Sequence, residues 1–240
     1  MGMSNILERE DKRVEAATLF DAANNGGKIV LIDDRISIVK QGNWEKCTAL
    51  DVSDIEAYKK KGYLRGNVVY VGVPFETKSL FGVSDAPCKT FAYLNPLPPE
   101  LNPDITVKRL APSLAGLVRD KYCGEEEDGY SVSDMENIMR TMGVFGAIVD
   151  GKLAGFIGRH GDGSMGMLEV FDDFRRRGIG AALERFLIGY VMTFMRTPHC
   201  DVYIDNAASL ALQQKIGLTP SGGYTFWVPG EEKSQPCQIL

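Results

Sequence analysis

The sequence predicts a mixed α/β fold in two domains. Segments with apolar residues at helical spacing alternate with short runs rich in β-branched residues, a pattern typical of sheets flanked by helices. With 240 residues, of which 44% are hydrophobic and 25% charged, the chain is long enough to bury a full core. Prolines interrupt this pattern at Pro96, Pro98, Pro99 and Pro103. Because proline joins neither a helix interior nor a central strand, we place a domain boundary at 95–104, with a loop inside one domain as the alternative.

The predicted domains are residues 1–100 and 104–230, followed by a tail at 231–240. For the first domain the pattern predicts, in order, a helix at 6–23, hairpin strands at 28–33 and 35–40, a helix at 51–61 capped by Ser53, and strands at 67–73 and 89–94. For the second it predicts a strand at 104–110, helices at 112–122 and 131–142, hairpin strands at 144–149 and 152–159, a strand at 165–171, a helix at 178–195, a strand at 201–204, a helix at 207–216 and a strand at 224–228.

Composition narrows the class of function. A net charge of -5 disfavours a protein that coats nucleic acid, since that work needs a basic face. The five cysteines lack C-x-x-C spacing, which favours a reducing cytoplasm, and no apolar run is long enough for a membrane span. His160 and His199 have no metal-like partner at helical spacing. We therefore expect a cytoplasmic protein with no metal, no nucleic-acid partner and no membrane partner.

The segment 165–187 carries the clearest chemical signal. A predicted strand leads to Arg175, Arg176 and Arg177, and Gly178 and Gly180 then open a predicted helix. Free N–H groups and the dipole at a helix start attract an anion, and glycines let the main chain approach it closely. Arginines add charge-assisted hydrogen bonds that suit phosphate. The segment therefore predicts a phosphate or pyrophosphate site, with a solvated helix end as the alternative.

Two common phosphate motifs do not fit this segment. A dinucleotide fingerprint needs a third glycine, and the position three residues after Gly180 holds Leu183. The Walker loop, G-x-x-x-x-G-K-[ST], is absent from the sequence. What remains is R-x-x-G-x-G at a predicted strand-to-helix turn.

This arrangement resembles the GNAT superfamily of N-acyltransferases, whose R/Q-x-x-G-x-G/A loop binds the pyrophosphate of acyl-CoA. Val170 lies five residues before Arg175, as in the approach to that loop, and residues 206–218 follow the family pattern N-x-x-[AS]-x-x-L-Y-x-K-L-G-F. The long N-terminal extension looks most like the glycine N-acyltransferase-like branch, in which a degenerate GNAT-like half precedes the working one. A similarity between residues 31–36 and 148–153, both in predicted hairpins, agrees with that branch.

The resemblance implies a mostly antiparallel mixed sheet flanked by helices, preceded by a smaller α/β domain. It implies direct transfer of an acyl group from acetyl-CoA, or another acyl-CoA, to a primary amine of a small molecule or peptide in a ternary complex. The residues implied to bind the cofactor are Leu168, Val170, Arg175, Arg176, Arg177, Gly178, Ile179, Gly180, Ala181, Asn206, Ser209 and Gln213. Asn206 has helix capping as its alternative interpretation.

The catalytic residues are less clearly indicated. Glu169 lies on the strand before the loop and is our candidate general base, with a solvent-facing or salt-bridged side chain as the alternative. Tyr203 is a candidate phenol near the thiol, with core packing as the alternative. Gln213 stands where the family often has an acidic tyrosine, and an amide cannot deliver a proton. A non-catalytic CoA-binding module is therefore the alternative function, and the choice between monomer and homodimer stays open.

Overall fold

The computed structural model describes residues 5–81, 87–123 and 130–230. By spatial contacts the chain forms two compact units. The first unit combines residues up to Leu94 with those from His199 onward, and the second unit is Asn95–Pro198. The predicted tail at 231–240 lies outside the described residues. None of the described helices has the length and apolar character needed to cross a membrane.

Helices and strands alternate along the described chain. The helices are α1 (Arg13–Asn24), α2 (Val52–Lys60), α3 (Ala115–Cys123), α4 (Val132–Thr141), α5 (Ile179–Met192) and α6 (Ala207–Ile216). The strands are β1 (Lys28–Ile32), β2 (Ile36–Gln41), β3 (Trp44–Ala49), β4 (Asn67–Val73), β5 (Cys88–Ala92), β6 (Thr106–Arg109), β7 (Val144–Val149), β8 (Lys152–Arg159), β9 (Met165–Val170), β10 (His199–Tyr203), β11 (Thr219–Pro220) and β12 (Tyr224–Val228).

The first unit is built on an eight-stranded sheet. Its order is β1-β2-β3-β4-β12-β5-β10, with β11 also paired to β5. Only β3 and β4 pair in parallel among these described strands, and α2 connects them. Leu19 of α1 packs with Val69 and Val71 on one face, while Ile55 of α2 packs with Ile38 on the other. Both faces of the central strands are therefore buried.

Pairing between strands that are far apart in the sequence explains why the first unit includes the C-terminal segment. The late strand β12 pairs with the early strands β4 and β5, and β10 pairs with β5. These ladders join residues more than 100 positions apart. The predicted domains, 1–100 and 104–230, are continuous stretches of sequence, whereas the compact units are defined by spatial contacts. The limits of the predicted domains stay a prediction.

The second unit has three layers around an antiparallel sheet of order β6-β7-β8-β9. On one face, α3 and α4 contribute Val118 and Met135 to a core with Phe156 of β8. On the other face, Phe186 of α5 packs its ring 5.1 Å from that of Phe145. The mixed α/β fold with mostly antiparallel strands and flanking helices is thus confirmed.

Several predicted elements differ from those observed, each for a local reason. The first α-helix begins at Arg13 rather than at residue 6, because Arg9 has extended backbone angles (φ -72, ψ 136) between two short 3-10 turns. The cap of α2 is Asp51 rather than Ser53, through a reciprocal pair of hydrogen bonds with Asp54. Strand β3 was not predicted, since buried Glu45 disguises its apolar character.

Candidate functional site

Strand β9 lies at the edge of its sheet and carries a bulge. In the described chain it pairs with β8 alone, through the opposed residues Gly158 and Gly166 and, farther along, Phe156 and Glu169. Three residues of β9 therefore span the length of two on β8. Within the bulge Met167 has φ 52, a left-handed value that a non-glycine residue rarely adopts. The bulge interrupts the ladder in the middle of an edge strand.

The connection from β9 to α5 uses two left-handed residues. After a 3-10 turn at Asp172–Phe174, Arg176 has φ 59 and Gly178 has φ 78, and α5 begins at Ile179. A Cβ at Gly178 would have open space around it, so the backbone angle rather than crowding favours glycine there.

The first turn of α5 is open to an anion. No side chain makes a capping hydrogen bond at Gly178. The first carbonyl of the helical ladder, that of Gly178, accepts from the N–H of Ala182 at 3.0 Å. The N–H groups of Ile179, Gly180 and Ala181 precede this bond and have no acceptor within the helix. These three donors and the helix dipole together form an anion-binding geometry.

Arg175 fastens the loop to the end of β9. Its Nε donates to the carbonyl oxygen of Val170 at 3.0 Å, its Nη2 donates to Oε1 of Glu169 at 3.2 Å, and its Nη1 lies 2.9 Å from Oδ1 of Asp172. The side chain of Arg175 is nevertheless 59% exposed. Arg175 therefore shapes the loop in this structure, a contribution that its place in the sequence motif did not predict.

The next two arginines supply positive charge to the loop. Arg177 lies over the ring of Phe174, 5.4 Å from its centroid, and its Nη2 is 3.8 Å from Oδ2 of Asp150. The exposed side chain of Arg176 has no hydrogen bond or ion pair with any residue that the structure describes. Arg176 is thus available to an external anion.

The remaining residues of the predicted site belong to the first unit. Asn206 caps α6, because its Oδ1 accepts from the N–H of Ser209 at 3.0 Å. Gln213 is on the same helix and is buried, with 1% of its surface exposed. Tyr203 ends β10, opposite Cys88 of β5. The structure therefore places the residues from Leu168 to Ala181 in one unit and those from Tyr203 to Gln213 in the other.

Glu169, the candidate base, has a polar environment. Its side chain is 27% exposed, and its carboxylate accepts the hydrogen bond from Arg175. This is the ion-paired alternative rather than an unpaired carboxylate in a desolvated cleft. Its assignment as a general base stays a prediction.

His160 is a candidate that the sequence did not single out for chemistry. It follows β8, and its Nε2 lies only 2.1 Å from where a Cβ on Gly166 would be. Its Nδ1 is buried and forms no hydrogen bond within the described chain. Burial lowers the pKa of the imidazole, and the charge of Asp162 acts in the opposite direction. Its place in a glycine-rich hairpin, His160-Gly161-Asp162-Gly163, was the available signal.

The described residues contain no group of three or more His, Cys, Asp or Glu side chains arranged to hold a metal ion. The candidate site is therefore defined by main-chain donors, arginines and the edge of β9. All of these lie within the second unit.

A protein-family model matches the part of the chain that contains the candidate site. Residues 141–228 match the family described as FR47-like protein. This segment contains β9, the arginine loop and α5. A search of curated proteins gives no match.

Three solved structures share the fold at low sequence identity. A Drosophila protein is 16% identical with a TM-score of 0.55, covering 80% of this chain and 74% of the other. A GNAT-family protein from Novosphingobium aromaticivorans is 15% identical with a TM-score of 0.51, covering 88% and 95%. A GCN5-related N-acetyltransferase from Kribbella flavida is 12% identical with a TM-score of 0.50, covering 93% and 96%. The chain therefore has the fold of the GNAT acetyltransferases and matches the FR47-like family over residues 141–228.

Proposed function

We propose that the protein is an acyl-CoA-dependent N-acyltransferase that uses acetyl-CoA to acylate a primary amine of a small molecule or peptide. The observation that carries this proposal is the uncapped first turn of α5 after an edge strand with a bulge. The FR47-like match spans both features and supports the assignment.

The pyrophosphate of CoA suits the open turn of α5. The N–H groups of Ile179, Gly180 and Ala181 are the donors, and the side chains of Arg176 and Arg177 add positive charge. Anion binding at such a turn needs no lysine or metal. We therefore assign these residues to the pyrophosphate.

The pantetheine arm is assigned to the free edge of β9. An extended chain with amide groups can hydrogen-bond to the unpaired main chain of an edge strand, as an added β-strand does. We place the arm beside Leu168 and Val170. A main-chain N–H of this strand would then donate to the thioester carbonyl and polarise it. The bulge at Met167 turns the backbone there out of the regular ladder.

The element order of the N-terminal part of the chain supports its interpretation as a degenerate GNAT-like half. The order β1-β2-β3-α2-β4 repeats β7-β8-β9-α5-β10, and in both cases a helix ending near a left-handed glycine, Gly26 or Gly143, precedes the first strand. In this half, however, β3 and β4 pair directly, from Trp44 with Asn67 to Cys47 with Tyr70. Its parallel strands therefore leave no gap for a pantetheine arm.

The helix start in the N-terminal half is also closed to anions. Asp51 and Asp54 form a capping box at the first turn of α2, and Arg35 binds both carboxylates, with its Nη2 2.6 Å from Oδ2 of Asp51. Carboxylates at this position satisfy the N–H groups and repel phosphate. We therefore expect one CoA site per chain, in the half that contains α5.

The chemistry needs a neutral amine, a polarised carbonyl and a destination for one proton. The amine nitrogen bonds to the thioester carbon, the C–S bond breaks, and CoA leaves as a thiol after taking up a proton. A thiol with a pKa of about 8.5 is an acceptable leaving group without a strong acid. Gln213 in place of a tyrosine is therefore compatible with turnover.

A non-catalytic CoA-binding module is the second candidate, and buried Gln213 is the observation that favours it. The two functions differ in one result. The enzyme releases CoA thiol from acetyl-CoA in the presence of a suitable primary amine, whereas the module binds acetyl-CoA without thiol release across an amine panel.

The first experiment is a thermal melt with acetyl-CoA. Ligand at 100 times its dissociation constant adds about 2.7 kcal/mol to the free energy of unfolding. We expect the double variant Arg176→Glu/Arg177→Glu to lose most of this shift. Arg185→Glu, farther along α5, is the matched control and should keep it. Absence of any shift in the wild type would reject the proposed function.

A further inference from the structure

We propose that His160 is the group that takes the proton from the acceptor amine, on the same face of β9 as Glu169. This inference rests on the proposed N-acyltransferase function. It adds a catalytic residue outside both sequence motifs.

The strand pairing places His160 and Glu169 on one face. Directly opposed residues of an antiparallel pair point to the same side of the sheet, as do residues two apart on one strand. Gly166 is opposite Gly158 and Glu169 is opposite Phe156, so Gly166 and Glu169 share a face. The imidazole of His160 lies over Gly166. At about 3.3 Å per strand residue, it is roughly 7 Å along the strand from Glu169.

Gly166 makes room for this imidazole. A Cβ on Gly166 would lie 2.1 Å from Nε2 of His160, closer than any real contact. The space beside the opposed residue on β8, Gly158, is taken by the side chains of Met167 and Val144 instead. The ring therefore occupies the space that a side chain at position 166 would fill.

The ring also has a nitrogen available for chemistry. Nδ1 is buried, whereas Nε2 is not fully buried and has no hydrogen bond to any residue in the described ranges. Burial lowers the imidazole pKa, which keeps the ring neutral and able to accept a proton near pH 7. Asp162 on the same hairpin opposes that shift and supports the protonated ring once it forms.

Glu169 is less suited to this step. Its carboxylate already accepts a hydrogen bond from Arg175, and taking a proton would weaken that ion pair. The ion pair ties β9 to the arginine loop, so we treat Glu169 as a positioning residue. Glu169 and His160 thus share a face of the sheet but differ in their contacts. Glu169 is ion-paired with Arg175, whereas Nε2 of His160 has no hydrogen bond to a described residue.

The direction of the bound cofactor brings the acyl group towards His160. With the pyrophosphate at α5, beyond the C-terminal end of β9, an arm that follows this edge runs backwards past Val170 and Leu168. Its acyl end then lies near the bulge at Met167, next to Gly166. This is the part of β9 that His160 covers.

The proposed step is balanced with respect to protons. A neutral amine attacks the thioester carbon, and its nitrogen passes one proton to Nε2 of His160 as the C–S bond breaks. The imidazolium then gives that proton to the departing thiolate, directly or through water. The products are the amide and CoA thiol, and His160 returns to its neutral form.

The first test uses NMR of the two histidine side chains, with His160→Gln to assign the signals. We expect acetyl-CoA to shift the His160 imidazole signals. Adenosine 3′-phosphate 5′-diphosphate, which lacks the arm, should bind and leave them unchanged. Binding of acetyl-CoA by calorimetry without any shift at His160 would overturn the inference and leave the proposed function intact. Absence of binding would reject both.

The second test measures thiol release from acetyl-CoA over a panel of primary amines. General-base catalysis contributes about 10²–10⁴-fold, so His160→Gln should lower kcat at least 100-fold at unchanged acetyl-CoA affinity. Added imidazole should partly rescue His160→Ala. Glu169→Gln should lower kcat less and weaken acetyl-CoA binding more. Full turnover in His160→Gln contradicts the inference, and absence of turnover with every amine rejects the proposed enzyme.

A steric variant gives an independent test. Gly166→Ala introduces a methyl group against the imidazole and should reproduce the kinetic loss of His160→Gln. Gly161→Ala in the same hairpin is the matched control, because a Cβ there meets no atom within 4 Å. Equal activity of the two alanine variants would count against a catalytic His160.

Discussion

Arg175 holds the carbonyl oxygen of Val170 with its Nε at 3.0 Å, a bond that joins the end of β9 to the loop that precedes α5. The same guanidinium contacts Glu169 of β9 and Asp172 at the start of the 3-10 turn. One arginine therefore ties the loop that precedes α5 to the strand assigned to the pantetheine arm. Substitutions in this loop and elsewhere in the fold should distinguish residues that contribute to cofactor binding from residues that contribute to stability.

Arg175→Ala should weaken acetyl-CoA binding with little effect on stability. The side chain is largely exposed, so its ion pairs contribute at most about 1 kcal/mol to folding. Loss of the loop geometry should weaken the affinity about fivefold or more in calorimetry. An unchanged dissociation constant would show that Arg175 does not organise the cofactor loop.

Gly178→Ala should destabilise the protein by about 1 kcal/mol, because an L-residue is strained at φ 78. Relief of that strain would alter the first turn of α5, so acetyl-CoA affinity should fall as well. Urea denaturation measures the first effect and calorimetry the second. Gly161→Ala is the control for both. A variant with normal stability and affinity would contradict the geometry described for this turn.

Asn206→Ala separates helix capping from cofactor binding. Loss of the hydrogen bond to the N–H of Ser209 should cost about 1 kcal/mol of folding stability. Asn206→Asp keeps a capping oxygen and should retain that stability. If Asn206 also binds CoA through its amide nitrogen, both variants weaken acetyl-CoA binding. If only Asn206→Ala has any effect, capping accounts for the residue.

Glu15 should make the stability of the protein fall as pH rises. The side chain of Glu15 on α1 is fully buried, and burial raises its pKa above 4.5 although Lys12 lies 3.5 Å away. The folded state therefore keeps a proton that the unfolded state loses above pH 4.5. The associated stability is complete below that pH and is lost as pH rises through the raised folded pKa.

Glu15→Gln should remove this component, which amounts to about 1.4 kcal/mol for each unit by which the pKa is raised. Denaturation at pH 4.5 and pH 7.5 gives the free energy of unfolding of both proteins. Between these two pH values, the stability of Glu15→Gln relative to the wild type should increase. Parallel pH dependences of the two proteins would show that Glu15 titrates as an exposed carboxyl does.

The local parts of the fold were predictable from the sequence. The hairpin strands β7 and β8 have their predicted limits because Asp150-Gly151 specifies the turn, and α6 begins and ends as predicted between Asn206 and Gly217. Long-range pairing was not predictable, since nothing in the sequence of β12 or β5 alone indicates that these two strands pair with each other.

The sequence could single out the loop before α5 as a candidate phosphate site, whereas it could not predict the geometry around that loop. Consecutive arginines and glycines indicate a phosphate site because their chemistry is visible in one short segment. The bulge at Met167 and the position of His160 over Gly166 depend on the pairing of β8 with β9. The three contacts of Arg175 depend on the path of the loop after β9. Single-residue preferences encode neither.

The central claim is that the chain has one acyl-CoA site, with its pyrophosphate at the first turn of α5. Isothermal titration of the wild type with acetyl-CoA, beside Arg176→Glu/Arg177→Glu and Arg185→Glu, tests it directly. We predict one acetyl-CoA per chain for the wild type and Arg185→Glu, and binding at least tenfold weaker for the double variant. No binding to the wild type, or equal affinity in all three proteins, would contradict the claim.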